Sequence, residues 1–316
     1  MNLIAPAYYA QFKCIADRCK HSCCIGWEID VDDDTYEYYK TVKGPLGERL
    51  KEEIVCDGEV AHFKLGEGER CPFLNETGLC DIISQLGKGA LCQICDDHPR
   101  FRNYYSDRTE IGVGMCCEAA AELILSQKDK FSLVSVENEA EELLYPEEEE
   151  LLEVRNRIFE ILTDRTKTVE YRVKEMLDFC DIVMPYKTLA EWVDIYADLE
   201  RLDPMWDTVL QGVKTTSFDN DTKTTNEDTE IAFEQLLCCF VYRHLTDSLD
   251  DDRLWERVAF VAQSYYIIRS ICEVQYIKTG KLTIEDMAEI ARMYSSEIEY
   301  SEDNINSLLD YFSENI

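Results

Sequence analysis

Residues 14–24 read CIADRCKHSCC, four thiols at C-x4-C-x3-C-C spacing, and seven more cysteines follow before residue 118. So dense a cluster admits three readings: a metal or iron–sulfur site, a disulfide framework, or redox chemistry. The choice decides whether the first third of the chain is tied by covalent bonds, by an ion, or by neither.

Working outward, the 316 residues, 46% of them apolar, can supply real cores without covalent staples. Disulfide-dense frameworks belong mostly to small secreted domains. The start, MNLIAPAYYAQFKC, lacks the basic and apolar regions of a signal peptide, and no run approaches the roughly 18 apolar residues of a membrane span. A reducing cytoplasmic setting with no membrane is therefore expected. There, clustered cysteines read as metal ligands or catalytic thiols, and the odd total of 15 leaves one unpaired in any intramolecular disulfide scheme.

The net charge is −33 and uneven: residues 1–120 carry 21 acidic and 13 basic side chains, the remainder 44 and 19. Affinity for phosphate comes from Lys and Arg, so a nucleic-acid partner is not expected. The acidity reads as a solvated surface, with steering of a Lys-rich protein as the sharper alternative.

The expected fold class is mainly α: an N-terminal Cys-rich metal or iron–sulfur module with a few short strands (1–128), followed by an acidic helical domain (129–316). In the first part GWEIDV, EVAHFKL and RTEIGVGM read as strands, DDDTYEYYKTV and LGERLKEEIV as brief helices, and AAAELILS as a helix opening after Cys116-Cys117. Asp32, Asp33 and Asp34 read as helix-capping charge. In the second part ENEAEELLYPEEEE reads as an exposed connection. Three amphipathic helices follow, the third ended by Pro204, and then GVKTTSFDNDTKTTNEDT reads as a polar loop. A helical run containing Cys238-Cys239 comes next. A long helix then carries one stripe of Leu254, Val258, Val261, Tyr265, Ile268 and Cys272 and stops near Gly280. Thr283 caps its successor, with Asp286 in the capping-box position. Cys180, Cys238, Cys239 and Cys272 read as buried small hydrophobes.

The candidate metal ligands are Cys14, Cys19, Cys23, Cys24, Cys71, Cys80, Cys92, Cys95 and Cys116. Adjacent Cys23 and Cys24 are unsuited to one ion, so the first stretch is expected to supply three ligands. CPFLNETGLC places Cys71 and Cys80 at the ends of a hairpin-like excursion around Asn75–Gly78. C-x2-C brings Cys92 and Cys95 together through a tight turn. The spacings do not separate iron from zinc. His21, His62 and His98 are possible further ligands, although a surface or hydrogen-bonded role suits His62 better. Arg100 and Arg102 are candidate cofactor-binding groups, able to bind a carboxylate or to orient thiolates, with a local salt-bridge cluster as the competing reading. There is no G-x-G-x-x-G after a strand, no P-loop, no G-x-S-x-G, no H-E-x-x-H and no C-x3-C-x2-C.

Four ordered blocks, YYAQFKCIADRCKHSCCIGWEIDVDDDTYEYY, CPFLNETGLCDI, LCQICDDHPRF and GVGMCCEAAAELIL, together resemble the flagellin lysine-N-methylase family, itself similar to a wider group of cysteine-rich zinc- or iron-chelating proteins. The resemblance covers residues 7–127. His98 stands where family members usually have an aromatic residue before Pro-Arg, and Cys116-Cys117 where they have one cysteine followed by proline. The helical half offers no motif for the comparison.

The resemblance implies methyl transfer from S-adenosylmethionine to lysine ε-amines of a protein substrate with exposed lysines, flagellin-like, in the presence of a [4Fe-4S] cluster that anchors the methyl donor. Zinc is the alternative metal, and no catalytic residue is assigned. A metal-chelating or electron-transfer protein without methyl chemistry is the alternative function; a third reading is a zinc-stapled protein with an acidic docking surface.

Overall fold

The first strand finds its partners far along the chain. The computed structural model describes residues 2–56, 60–137, 143–218 and 226–316. Its strands are β1 (Asn2–Pro6), β2 (Asp30–Val31), β3 (Ile54–Cys56), β4 (Ala61–Phe63), β5 (Arg100–Tyr104), β6 (Arg108–Val113) and β7 (Leu133–Glu137). Its helices are α1 (Asp33–Thr41), α2 (Pro45–Glu53), α3 (Asp81–Leu86), α4 (Gln93–Asp97), α5 (Glu118–Leu125), α6 (Pro146–Leu162), α7 (Val169–Phe179), α8 (Leu189–Ala197), α9 (Met205–Thr215), α10 (Glu227–His244), α11 (Ser248–Asp251), α12 (Leu254–Thr279), α13 (Ile284–Tyr294) and α14 (Glu302–Asn315). The mainly helical class is as expected.

Strand β1 runs parallel to β6, with Asn2 opposite Arg108, and antiparallel to β7, with Pro6 opposite Leu133, in a sheet ordered β5-β6-β1-β7. Helix α5 packs on α10 and α13. These pairings draw the residues up to Phe12 and from Phe101 onward into one compact unit, and residues 13–100 form the other. The division thus falls at residues 12 and 100, whereas the sequence placed its boundary at 128, because β1, β6 and α5 bury their apolar faces against later elements.

In the helical unit α10 is buried at every residue from Ala232 to Tyr242. On α12 the expected stripe is buried from Val258 to Cys272 and half-buried at Leu254, and Ala259, Phe260 and Ile267 beside it are buried too, since neighbours cover more than one face. Gly280 ends α12 in a left-handed conformation with φ +74°, and Thr283 caps α13 by accepting from the Asp286 amide at 3.1 Å. Cys238, Cys239 and Cys272 lie in the core and Cys180 packs at its rim. Buried carboxylates pair with arginines: Glu110 on β6 with Arg155 on α6, and Glu234 on α10 with Arg165 and Arg172.

Several sequence readings are corrected here. The supposed polar loop after residue 211 begins inside α9, and Asn226 to Thr229 already cap and open α10; residues 219–225 lie outside the described residues. The third amphipathic helix stops at Ala197, and Pro204 sits at the N-cap of α9. That helix, with Trp206 fully buried, went unrecognised, as did α14. Of the supposed acidic connection, residues 138–142 lie outside the described residues, and the part from Pro146 onward is the first turn of α6, where glutamates favour the helix N-terminus.

In the unit of residues 13–100, Asp32 caps α1 by accepting from the Thr35 amide at 3.0 Å, and its second oxygen accepts from the Gln93 amide at the start of α4 at 2.8 Å. Strands β2, β4 and β3 form an antiparallel sheet in that order. The core is small, thirteen buried apolar side chains among the described residues, and two of them are Cys71 and Cys92. A core of this size gains from a further tie such as a metal. No described helix is long and apolar enough to cross a membrane.

Candidate functional site

Three local devices gather thiols within the unit of residues 13–100. The chain after Cys24 pairs with the chain before Cys71: Ile25 bridges Arg70, and the Cys71 amide donates to the Cys24 carbonyl at 2.8 Å. Asn75 then closes the expected excursion, its side-chain oxygen accepting from the Thr77 and Leu79 amides at 3.0 and 3.1 Å, and Leu74 bridges Cys80. Finally, one turn of α4 carries Cys92 at its N-cap and Cys95 inside it, the Cys95 amide donating to the Cys92 carbonyl at 3.1 Å.

The thiols so placed perturb one another. A hydrogen bond from Cys23 lowers Cys24 to about 7 against the effect of burial, helped by Ser22 and by the Arg70 guanidinium. Cys92 is lowered by a hydrogen bond from Cys95, and Cys95 is correspondingly raised by that bond and by burial. Burial pushes Cys71 up to about 12 and also raises Cys80, and the neighbouring charge of Cys24 acts on both. Cys24, Cys71, Cys80, Cys92 and Cys95 therefore form one group. Among the described residues, however, no three His, Cys, Asp or Glu side chains stand close enough to hold a metal ion. The donor type fits a thiophilic metal or an iron–sulfur cluster; the donors are gathered without standing at ligating distance.

The rest of the first stretch is placed differently from expectation. Cys14 is exposed, with its Sγ accepting from the Ala16 amide at 3.4 Å, and the Cys19 thiol donates to the His21 carbonyl at 3.2 Å. Cys24, with Cys23 beside it, joins the later thiols through the interactions described above. His98 stacks on Trp27 with ring centres 5.6 Å apart, and His62 lies in β4 with Nδ1 3.9 Å from Glu28. Arg100 donates to the Asp96 carbonyl at 3.1 Å, and Arg102 is exposed on β5. Arg70, which the sequence analysis passed over, is held by the Leu74 and Asn75 carbonyls at 3.1 and 2.7 Å beside Cys24. Its position directly before Cys71 was the available signal.

Cys116 belongs to the helical unit, and Cys117 forms the N-cap of α5 as its place at a helix start implied. Burial raises Cys116 to about 12, opposed by a hydrogen bond from Tyr300 and by the charge of Arg243. Arg243 lies over the Tyr300 ring at 4.5 Å and 3.5 Å from Glu299. Glu299 also bonds His244 Nε2 at 2.7 Å and accepts from the Ser295 hydroxyl. Burial acts to raise Glu299, but Arg243 and these hydrogen bonds outweigh it and hold the carboxyl below its ordinary range. Burial likewise lowers His244, leaving a neutral imidazole that donates to the carboxylate. A Cβ on Gly114 would stand 2.5 Å from both Arg243 Nη1 and the Tyr300 hydroxyl, so glycine is what lets this cluster close. Sequence reasoning missed the cluster because its members lie just before α5, on α10 and in the segment after α13; an Arg-His pair in an otherwise apolar helix was the only trace.

Comparison with known proteins bears on both sites. Residues 111–316 match the model of the FliB lysine N-methylase C-terminal domain. The chain belongs to this family. The matched span is the helical half, where the sequence alone offered no motif, and it overlaps the Cys-rich blocks only at residues 111–127. The lysine-N-methylase of Salmonella typhimurium strain LT2 is 25% identical over 139 residues, 42% of this chain and 35% of that protein. The flagellar biosynthetic protein FliU of Salmonella muenchen is 26% identical over 139 residues, 42% of this chain and 82% of that protein. The chain thus matches about a third of the length of the lysine-N-methylase relative. No solved structure matches.

Proposed function

We propose that this protein transfers methyl groups from S-adenosylmethionine to lysine ε-amines of a protein substrate, flagellin-like in its exposed lysines. The observation that carries the reading is family membership over residues 111–316, with relatives named for lysine N-methylation and flagellar biosynthesis in support. Cys24, Cys71, Cys80, Cys92 and Cys95 are the residues that would hold a [4Fe-4S] cluster, with zinc as the alternative. Such a cluster, when bound, supplies an open iron site able to chelate the amino and carboxylate groups of the methyl donor. Arg70 holds positive charge beside Cys24 and stabilises its thiolate. Arg100 and Arg102 remain candidate donors for a carboxylate of the methyl donor. For the lysine, the chemistry required is modest: a neutral amine attacks a sulfonium methyl in line, so the protein must deprotonate, desolvate and align it.

The test begins with anaerobic purification and assay of iron and acid-labile sulfide, expected at about four each per cluster. Colourless protein with stoichiometric zinc removes the cluster. Incubation with S-adenosylmethionine and flagellin, followed by mass spectrometry, should give lysine mass increments of whole methyl groups. Metal-loaded protein that methylates neither flagellin nor other co-expressed proteins would favour the chelating or electron-transfer reading instead.

A further inference from the structure

In the helical unit a groove of about 630 Å³ is lined by α7, α12, the start of α8 and the segment that leads into it. Its walls include Leu177, Ile182, Leu189 and Trp192, and Val183 continues the apolar lining while 78% exposed. On α12 the lining extends from Gln263 to Glu273, about 15 Å at the helical rise. Charge at the Glu273 end is met from within, Arg269 being held by Glu170 and Glu273 at 2.8 and 3.0 Å. Two independent features of the groove ask for hydrogen-bond partners. Gln263 is the most buried residue of the lining, 2% exposed, and among the described residues its carboxamide bonds to nothing. Neither of its amide atoms is among the partnerless atoms sealed from solvent, so the carboxamide opens into the groove that Gln263 lines. The second feature is backbone. Residues 183–187 belong to no helix or strand, and among the described residues the amides of Val183, Met184 and Lys187, all in the lining, make no hydrogen bond.

We propose that this groove binds an extended segment of the protein substrate, apart from the lysine that reacts; the proposal rests on the methyl-transfer reading above. Backbone carbonyls of the segment accept from the amides of Val183, Met184 and Lys187. One of its peptide units meets both ends of the Gln263 carboxamide, which offers an acceptor oxygen and a donor nitrogen to the N–H and C=O of that unit. An apolar side chain of the segment packs against Leu177, Ile182 and Trp192. A groove of this length holds about four to five extended residues at about 3.3 Å each. A polypeptide suits it better than a small molecule, because unpaired backbone runs along one wall and Val183 carries the apolar surface out of the groove.

The experiment uses the full chain and a fluorescein-labelled nonapeptide of alternating Thr and Leu, with binding followed by fluorescence anisotropy. Gln263→Leu removes the donor and acceptor at similar size and should weaken binding about tenfold. Its Tm should be unchanged or higher, since an unpaired buried amide gives way to an apolar side chain; a lower Tm would mean that the amide is already satisfied and overturn the proposal. Gln211→Leu, exposed on α9 outside the groove, should change binding less than about twofold. Equal effects of the two substitutions, or equal binding of the peptide N-methylated at alternate backbone positions, would mean unspecific apolar adhesion and overturn the proposal, as would no binding by the parent. S-adenosylmethionine is the competing occupant: if calorimetric titration shows its binding lost in Gln263→Leu while peptide binding persists, the proposal is overturned. Methylation of flagellin by the same proteins keeps the two readings apart. Raised KM with unchanged kcat in Gln263→Leu supports both. Unchanged KM with activity present overturns the groove alone. Absent methylation by the parent, with selective loss of peptide binding in Gln263→Leu, overturns the methyl-transfer reading and leaves the groove standing as a peptide site.

Discussion

The Glu110–Arg155 pair should be among the costliest places to disturb this protein. Glu110 on β6 and Arg155 on α6 are 0% and 1% exposed, joined by two bonds of 2.6 and 2.7 Å, and the guanidinium also donates to the Tyr105 hydroxyl at 3.0 Å. The rings of Tyr105, Phe159 and Tyr242 lie 5.6–5.8 Å from its centre, so no water is available to replace a lost partner. Glu110→Gln leaves a buried cation uncompensated, a change that costs about 3–5 kcal/mol. In a unit of this size each kcal/mol moves Tm by about 2–4 °C, giving a fall of about 6 to 20 °C. Glu110→Leu combined with Arg155→Met removes both charges and should lie within about 1 kcal/mol of the parent, because desolvation and attraction are lost together. The assay is urea unfolding read by fluorescence of Trp192 and Trp206, which belong to the same unit, with calorimetric Tm alongside. A Glu110→Gln cost below about 1 kcal/mol, or a double variant as unstable as the sum of its singles, would refute the reasoning.

Stability should also fall between about pH 7 and 5.5, because unfolding lets His244 take up a proton near its ordinary value of about 6.5 that burial denies it in the folded state. Glu299, lowered in the folded state, adds a further loss below its ordinary carboxylate range. Urea midpoints of His244→Gln should stay level across the upper window, and a parallel fall in both proteins would disprove a neutral buried imidazole. Gly47→Ala would place a Cβ 2.1 Å from the Val42 carbonyl oxygen and should cost about 2 kcal/mol or more, whereas Gly89→Ala meets nothing within 4 Å and should change stability by less than about 0.5 kcal/mol. Cys71→Ser or Cys95→Ser should abolish metal retention as measured by elemental analysis, while Cys272→Ser in the helical core should retain it. Equal loss from Cys272→Ser would displace the proposed ligand set.

Where a signal is local, the chain by itself determined the outcome. The Asn75 turn, the Cys92–Cys95 turn, the Asp32 and Thr283 caps and the Gly280 stop each depend on residues a few positions apart, and each forms as read. The buried cysteines of α10 and α12 were legible for the same reason, since they sit within apolar helical runs. Periodicity was less informative for α10 and α12, because it reports a helix face only when another face is wet.

Long-range pairing is what the tertiary structure decided. Strand β1 has no meaning without β6 and β7, so its release from the Cys-rich part and the division at residues 12 and 100 could not be read from composition. CIADRCKHSCC read as a source of three ligands to one centre. The pairing of Ile25 with Arg70 carries Cys24 toward Cys71, while Cys14 stays at the surface. The Arg243–His244–Glu299 cluster is likewise assembled from distant segments. Local sequence fixes backbone geometry over a few residues, but which charges lose their water, and beside which partners, depends on packing between elements far apart in the chain.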